Sequence, residues 1–188
     1  MDRKSILILV LIIVCVSCHK NYYYSSSKIG GLRPKTPRFR LAKPEPYQLK
    51  PEDQIDTMAI YIRKYPDLLD KTKEAQSSYR FFSNGRFVNI TESRTVYKYK
   101  LHRIGYYRVQ NSNIILMESF IKASPAAGDL GKYHQSIGII KNDTLVIVSG
   151  VRKFTDIEWA EGRISEYYHT PRIYLKQKVD TLIGTPDW

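Results

Sequence analysis

The stretch SYRFFSNGRFVNIT, Ser78–Thr91, decides the fold. Its two halves, Ser78–Ser83 and Arg86–Thr91, are rich in aromatic and β-branched residues. Such side chains fit a pleated, half-buried surface better than a helix. Between them stands Asn84-Gly85. This dipeptide is the strongest short hairpin signal, because both central residues of a type I′ turn need positive φ, which asparagine and glycine tolerate. The reading is an antiparallel pair of strands.

The pattern recurs downstream. Ile104–Gln110 and Asn113–Lys122 flank a turn around Asn111-Ser112, and Tyr133–Lys141 and Thr144–Ser149 flank Asn142-Asp143. In Asp56–Lys64, Ile60 and Ile62 alternate with Tyr61 and Arg63, which suits a further strand, and Arg172–Val179 reads as the last one. Strands in chain order joined by tight turns close most simply as an antiparallel up-and-down meander or small barrel. About seven or eight strands in roughly 130 residues is the size of such a barrel. One or two short helices are expected beside it. Leu68–Ser77 is too polar for a central strand, and Thr155-Asp156-Ile157-Glu158 resembles a capping box from which a helix would run to about Gly162.

Three segments carry a resemblance. They are Tyr79–Arg86 (YRFFSNGR), Gly105-Tyr106-Tyr107 leading into Asn113-Ile114-Ile115, and Gly138–Leu145 (GIIKNDTL). Together they resemble the β domain of small lipoproteins of Bacteroidota with a lipocalin-like or similar β-meander fold. The lipocalin Gly-x-Trp near the first strand is absent. Members of such groups mostly lack an assigned activity, so the resemblance implies a fold and no reaction.

The N-terminus agrees with export. Arg3 and Lys4 precede Ile6–Val16, an uncharged run too short to span a bilayer, which needs about 20 apolar residues, but suited to the core of a secretory signal. Cys15-Val16-Ser17-Cys18 resembles a lipobox, with a small residue before the cysteine. That resemblance to bacterial lipoprotein precursors implies a signal peptide over 1–17, cleavage after Ser17 and acylation (palmitate among the chains) of Cys18. No other cysteine lies beyond this segment, so the folded part is expected to rest on a hydrophobic core without disulfides.

Residues 18–51 contain Ser25-Ser26-Ser27, Gly30-Gly31 and five prolines, with no sustained apolar period. They read as a basic tether, and residues 52–188 as a single β domain. The tether carries eight basic residues against Glu45 and the signal segment a further +1, leaving +4 of the net charge of +12 for the domain. Basic charge beside a lipid anchor is drawn to anionic headgroups at about 1 kcal/mol per residue. Solvation of the tether explains the same charge equally well. Nucleic acid is not an expected partner, since no recognition motif accompanies the charge.

The chain offers little sign of chemistry. His19, His102, His134 and His169 stand at no local metal-binding spacing and read as surface or strand-end residues, so neither a metal nor another cofactor is expected. Asp156, Glu158, Glu161 and Glu166 surround Trp159, a pattern that a glycosidase pair and the solvated face of a short helix share. Of the fifteen tyrosines, Tyr106, Tyr107, Tyr167 and Tyr168, with Trp159, are the candidate contacts for a ligand or partner; cross-strand packing is the plainer role. The leading expectation is a lipid-anchored envelope protein, on the periplasmic face of a cell membrane or outer membrane, whose β domain binds a partner without catalysis. The alternatives are a lipocalin-like carrier of a small apolar molecule and an envelope hydrolase.

Overall fold

The computed structural model describes residues 21–25, 31–66, 74–92, 101–122, 131–149 and 171–179. They form ten strands: β1 (Tyr22–Ser25), β2 (Gly31–Pro34), β3 (Ala59–Pro66), β4 (Glu74–Phe81), β5 (Arg86–Glu92), β6 (Leu101–Gln110), β7 (Ile114–Lys122), β8 (Gly131–Lys141), β9 (Thr144–Ser149) and β10 (Arg172–Lys178). Strands β3–β10 close into an eight-stranded antiparallel barrel, and β1 pairs with β2 outside it. Every barrel strand lies beside its chain neighbours, and β10 returns to β3 with Leu175 opposite Ile62. This is the expected up-and-down meander. Closure leaves the barrel itself no unpaired edge.

The expected helix over Leu68–Ser77 is overturned in part. Glu74–Ser77 belong to β4, with Gln76 opposite Lys64 on one side and Glu92 on the other. Their polarity misled: the more exposed Glu74 and Gln76 alternate with the buried Ala75 and Ser77, as in a strand with one face outward. Among the described residues no helix occurs. Residues 67–73 and the expected helix at 155–162 lie outside them.

The three hairpins stand where expected, but the turn at Asn84-Gly85 is of another kind. Only Gly85 has positive φ, at 74°. Phe82 N–H donates to Arg86 O at 2.9 Å and Gly85 N–H to Phe82 O at 3.3 Å, so the loop has three residues with glycine in the left-handed position. A Cβ on Gly85 would also lie 2.4 Å from Tyr47 O. Two consecutive left-handed residues occur instead at Asn111 and Ser112, with φ of 53° and 59°.

Side chains alternate between lumen and outer wall, as the strand period requires. At the turn end the lumen is filled. Tyr61, Phe81, Phe87, Tyr107, Met117, Leu145 and Tyr174 form one buried cluster. Phe81 meets Tyr107 edge-on at 5.3 Å and Tyr61 at 5.8 Å. Burying each such side chain contributes about 1.5–3 kcal/mol. Strands β7 and β8 are apolar on their outer faces too, where Ile114, Ile137 and Ile139 are buried. That explains why their sequences read as near-continuous apolar runs.

The N-terminal region departs most from expectation. Residues 31–50, read as tether, are fastened to the barrel. Phe39 packs against Tyr106 and Tyr133, each with ring centroids 5.0 Å away, and joins Tyr22, Leu32 and Phe120 in a cluster on the outer wall. The buried carboxylate of Glu118 accepts the N–H groups of Arg40 at 2.5 Å and Leu41 at 3.1 Å. Burial pushes this carboxyl up, against the pull of those two bonds. Arg108 donates to the carbonyls of Leu41, Lys43 and Glu45 at 3.0, 2.8 and 2.5 Å. Proline and glycine do exclude helix and central strand here, but side chains from the barrel take up the backbone groups that no ladder satisfies.

The segment then crosses the turn end. Leu49 N–H donates to Ser83 O and Gln54 N–H to Ser112 O, both at 2.9 Å. Tyr47, Leu49 and Ile55 pack onto the lumen cluster from below. The turn end is therefore capped by the chain's own residues 47–55. The connections 67–73, 93–100, 123–130 and 150–170 lie outside the described residues.

Candidate functional site

Following each strand away from the turn end, the inward residues become polar. Phe81 and Tyr79 give way to Ser77 on β4, Phe87 to Asn89 on β5, and Tyr107 to Arg103 on β6. Met117 gives way to Ser119 on β7, Ile140 to Ser136 and His134 on β8, and Tyr174 to Arg172 on β10. A cavity of about 50 Å³ lies between them, lined by Tyr79, Phe87, Asn89, Arg103, Ser119, His134, Ser136 and Arg172. That is room for a few water molecules, since about 10–15 Å³ admits one.

Register explains the clustering. Asn89 stands opposite Arg103, and Ser119 stands opposite His134. Neighbouring strands thus bring polar residues to one level of the lumen, although they are far apart in sequence. Tyr79 and Phe87 belong both to the apolar cluster and to the lining, so they form the floor between the two halves. Tyr79 stands edge-on to Tyr174 at 5.0 Å. Asn89 is buried, and its amide donates to Ser77 Oγ and to Ser78 O, both at 3.0 Å, which fixes the wall.

The electrostatics are one-sided. Burial holds the His134 imidazole below its ordinary value of 6.5, and Arg103, Arg172 and Lys132 push it further down. Tyr79 is pushed up, mainly by burial and then by Tyr174, while Arg103 and Arg172 pull it back. Among the described lining residues no carboxylate balances the two arginines. Nor, among the described residues, does any group of three histidine, cysteine, aspartate or glutamate side chains converge as a metal would require.

The residues nominated from sequence fall elsewhere. Tyr107 is fully buried at the turn end, with its hydroxyl donated to Phe82 O at 2.6 Å, so it is a core residue. Tyr106 faces the outer wall beneath Phe39, with the Arg86 guanidinium 5.8 Å above its ring. Trp159, Tyr167 and Tyr168 belong to the connection between β9 and β10 and lie outside the described residues, as do Ser17, Cys18 and the acidic cluster of Asp156, Glu158, Glu161 and Glu166. His134 is half-buried in the lumen, so the surface reading of this histidine is corrected. Sequence reasoning missed Asn89, Arg103, Ser119, Ser136 and Arg172, and read His134 as a surface or strand-end residue. Their signal was present: counted in steps of two from the turns, each is a polar residue at an inward position.

Compared with protein-family models, curated proteins and solved structures, the chain gives no match.

Proposed function

We propose that the chain is a lipid-anchored envelope protein whose barrel binds a small polar ligand in the far end of its lumen, without catalysis. The observation that carries this reading is the division of the lumen. One half is packed with aromatic side chains, and the other holds a cavity walled by hydroxyl, amide and cationic groups. Polar groups buried in a lumen cost stability unless the protein or a ligand hydrogen-bonds them. A carrier of an apolar molecule fits less well, because Tyr61, Phe81, Tyr107 and Tyr174 occupy the apolar half themselves.

The anchor suits this arrangement. Cys18, the proposed acylation site, lies outside the described residues but only three positions before Asn21. Asn21 bonds in both directions with Gly131, at 3.0 and 2.7 Å, where β8 begins at the far end of the barrel. Three residues reach at most about 11 Å. An acylated Cys18 would therefore hold the cavity end toward the membrane surface, and the capped turn end away from it.

A second reading, a docking surface for an envelope protein, is favoured by Ile173 and Leu175 on the outer face of β10, which are 53% and 63% exposed. The ligand reading is tested with the intact chain in mild detergent. Native mass spectrometry and melting curves against neutral and charged polar compounds should reveal a bound species or a rise in Tm. The cavity-filling Ser136→Leu should abolish either. Binding that survives this change would move the site out of the lumen. Replacing Cys18 with Ser should release the protein from membranes; continued anchoring would end the lipoprotein reading.

A further inference from the structure

The cavity has a sharper chemical signature than polarity. Arg103 from β6, His134 from β8 and Arg172 from β10 converge on it, and no carboxylate stands among the described lining residues. Like charges grouped at one barrel end repel one another, and the lowered His134 records that repulsion together with burial. Among the described residues such grouping favours an opposite charge. The remaining wall offers donors. Ser119 and Ser136 are buried, at 8% and 7% exposure, and their hydroxyls can turn toward an acceptor. Guanidinium groups match the paired oxygens of carboxylates and phosphates better than any other side chain.

We infer that the far end of the lumen is a site for a small oxyanion, a carboxylate, phosphate or sulfonate group, gripped by Arg103 and Arg172 and by the hydroxyls of Ser119 and Ser136. The inference rests on the reading of the lumen as a ligand site and adds the ligand's charge. A volume of about 50 Å³ holds the anionic group and little more, so any larger remainder of the molecule projects past the arginines. The oxyanion is either free in solution or the headgroup of an anionic lipid, which the position of Cys18 would bring close.

Proton uptake should accompany binding. His134 is faced by Arg103 from β6, Arg172 from β10 and Tyr79 from β4, with Lys132 on its own strand; β5 and β7 present the uncharged Asn89 and Ser119. An anion among these groups offsets the two arginines and favours the imidazolium. Sulfate is the probe of choice, since its own charge is constant over the range in which histidine titrates.

The experiment is calorimetric titration of the intact chain, in detergent, with sodium sulfate, inorganic phosphate and acetate, and with glycerol as a neutral control. Saturable one-to-one binding of sulfate is expected, weakened at least tenfold by Arg103→Gln and by Arg172→Gln. Both arginines are exposed at the rim, and circular dichroism checks that each variant folds. Arg103→Lys keeps the charge and should keep part of the affinity. Affinity should rise as pH falls from 7.5 to 5.5, and His134→Asn should bind with that dependence lost. Vesicles of phosphatidylglycerol against phosphatidylcholine, with sulfate as competitor, separate the lipid source from the free one. Sulfate binding that ignores both arginine variants would overturn the inference. So would binding of neutral polar compounds without any anion, which would leave the lumen reading intact. Failure of every probe, charged and neutral, would end both.

Discussion

At the turn end of the barrel, Phe81, Phe87, Tyr107 and Met117 fill the lumen and residues 47–55 cap it. At the far end, two or four residues along the same strands, Ser77, Asn89, Arg103 and Ser119 take the same inward positions. Backbone, pairing and twist are shared, so only side-chain chemistry separates the two halves. An eight-stranded barrel is just wide enough to be filled by its own side chains or to hold one small ligand. This one does the first at one end and has room for the second at the other. The change from apolar to polar runs in the same sense on β4, β5, β6, β7, β8 and β10, which marks it as a property of the lumen and not of one strand.

The comparison breaks most readily through stability. Phe81→Ala empties a fully buried site in contact with Tyr61, Phe87 and Tyr107, and should cost about 3–5 kcal/mol in urea unfolding of the intact chain. Ser136→Ala at the far end removes one hydroxyl and should change stability by less than about 1 kcal/mol. Equal losses would mean that the two halves share one packing role, and the division of the lumen would lose its meaning.

A smaller effect is expected on the outer wall. Glu118→Ala leaves the N–H groups of Arg40 and Leu41 without their acceptor, and should cost about 1–3 kcal/mol. Amide exchange at these two positions should speed up well before that of the β7–β8 ladder. If their exchange does not change, the clasp is incidental and residues 31–50 are held by Phe39 and its neighbours alone. The distinction bears on the proposed anchor, because these residues join the β1–β2 pair to the cap over the turn end.

What the sequence disclosed followed from local signals. Asn84-Gly85, Asn111-Ser112 and Asn142-Asp143 each marked a turn, and the alternation on either side gave strands and order. The type of the first turn was not legible, since Asn-Gly suits a three-residue loop as well as a type I′ turn, and the approach of Tyr47 to Gly85 joins distant parts of the chain. The docking of residues 31–50 was hidden for the same reason. Its partners, Glu118, Arg108 and Tyr133, lie roughly 60–100 positions away. Tyr107 was singled out for its aromaticity, which suits a core as well as a pocket. Asn89 and Ser136 were passed over because one polar residue in a strand looks like its solvent face. Only register across several strands shows that these residues point inward at one level.

The finest test concerns His134. Its imidazole is held below 6.5 in the folded state, first by burial and then by Arg103 and Arg172. The unfolded chain therefore binds more protons than the folded one between that lowered value and 6.5. The stability this histidine contributes is present above its unfolded value and declines as pH falls toward its folded value. In anion-free buffer, melting temperature should drop over this window, and His134→Asn should flatten that part of the curve. Saturating sulfate should reduce the slope in the parent chain, because an anion beside the arginines brings the folded value back up. A turn-end change such as Phe81→Ala should lower the whole curve and leave its shape alone, since no titrating group of the far end is touched. If sulfate leaves the slope of the parent chain unaltered, His134 and the bound anion are not neighbours, and the two arginines would have to be assigned to different ligands.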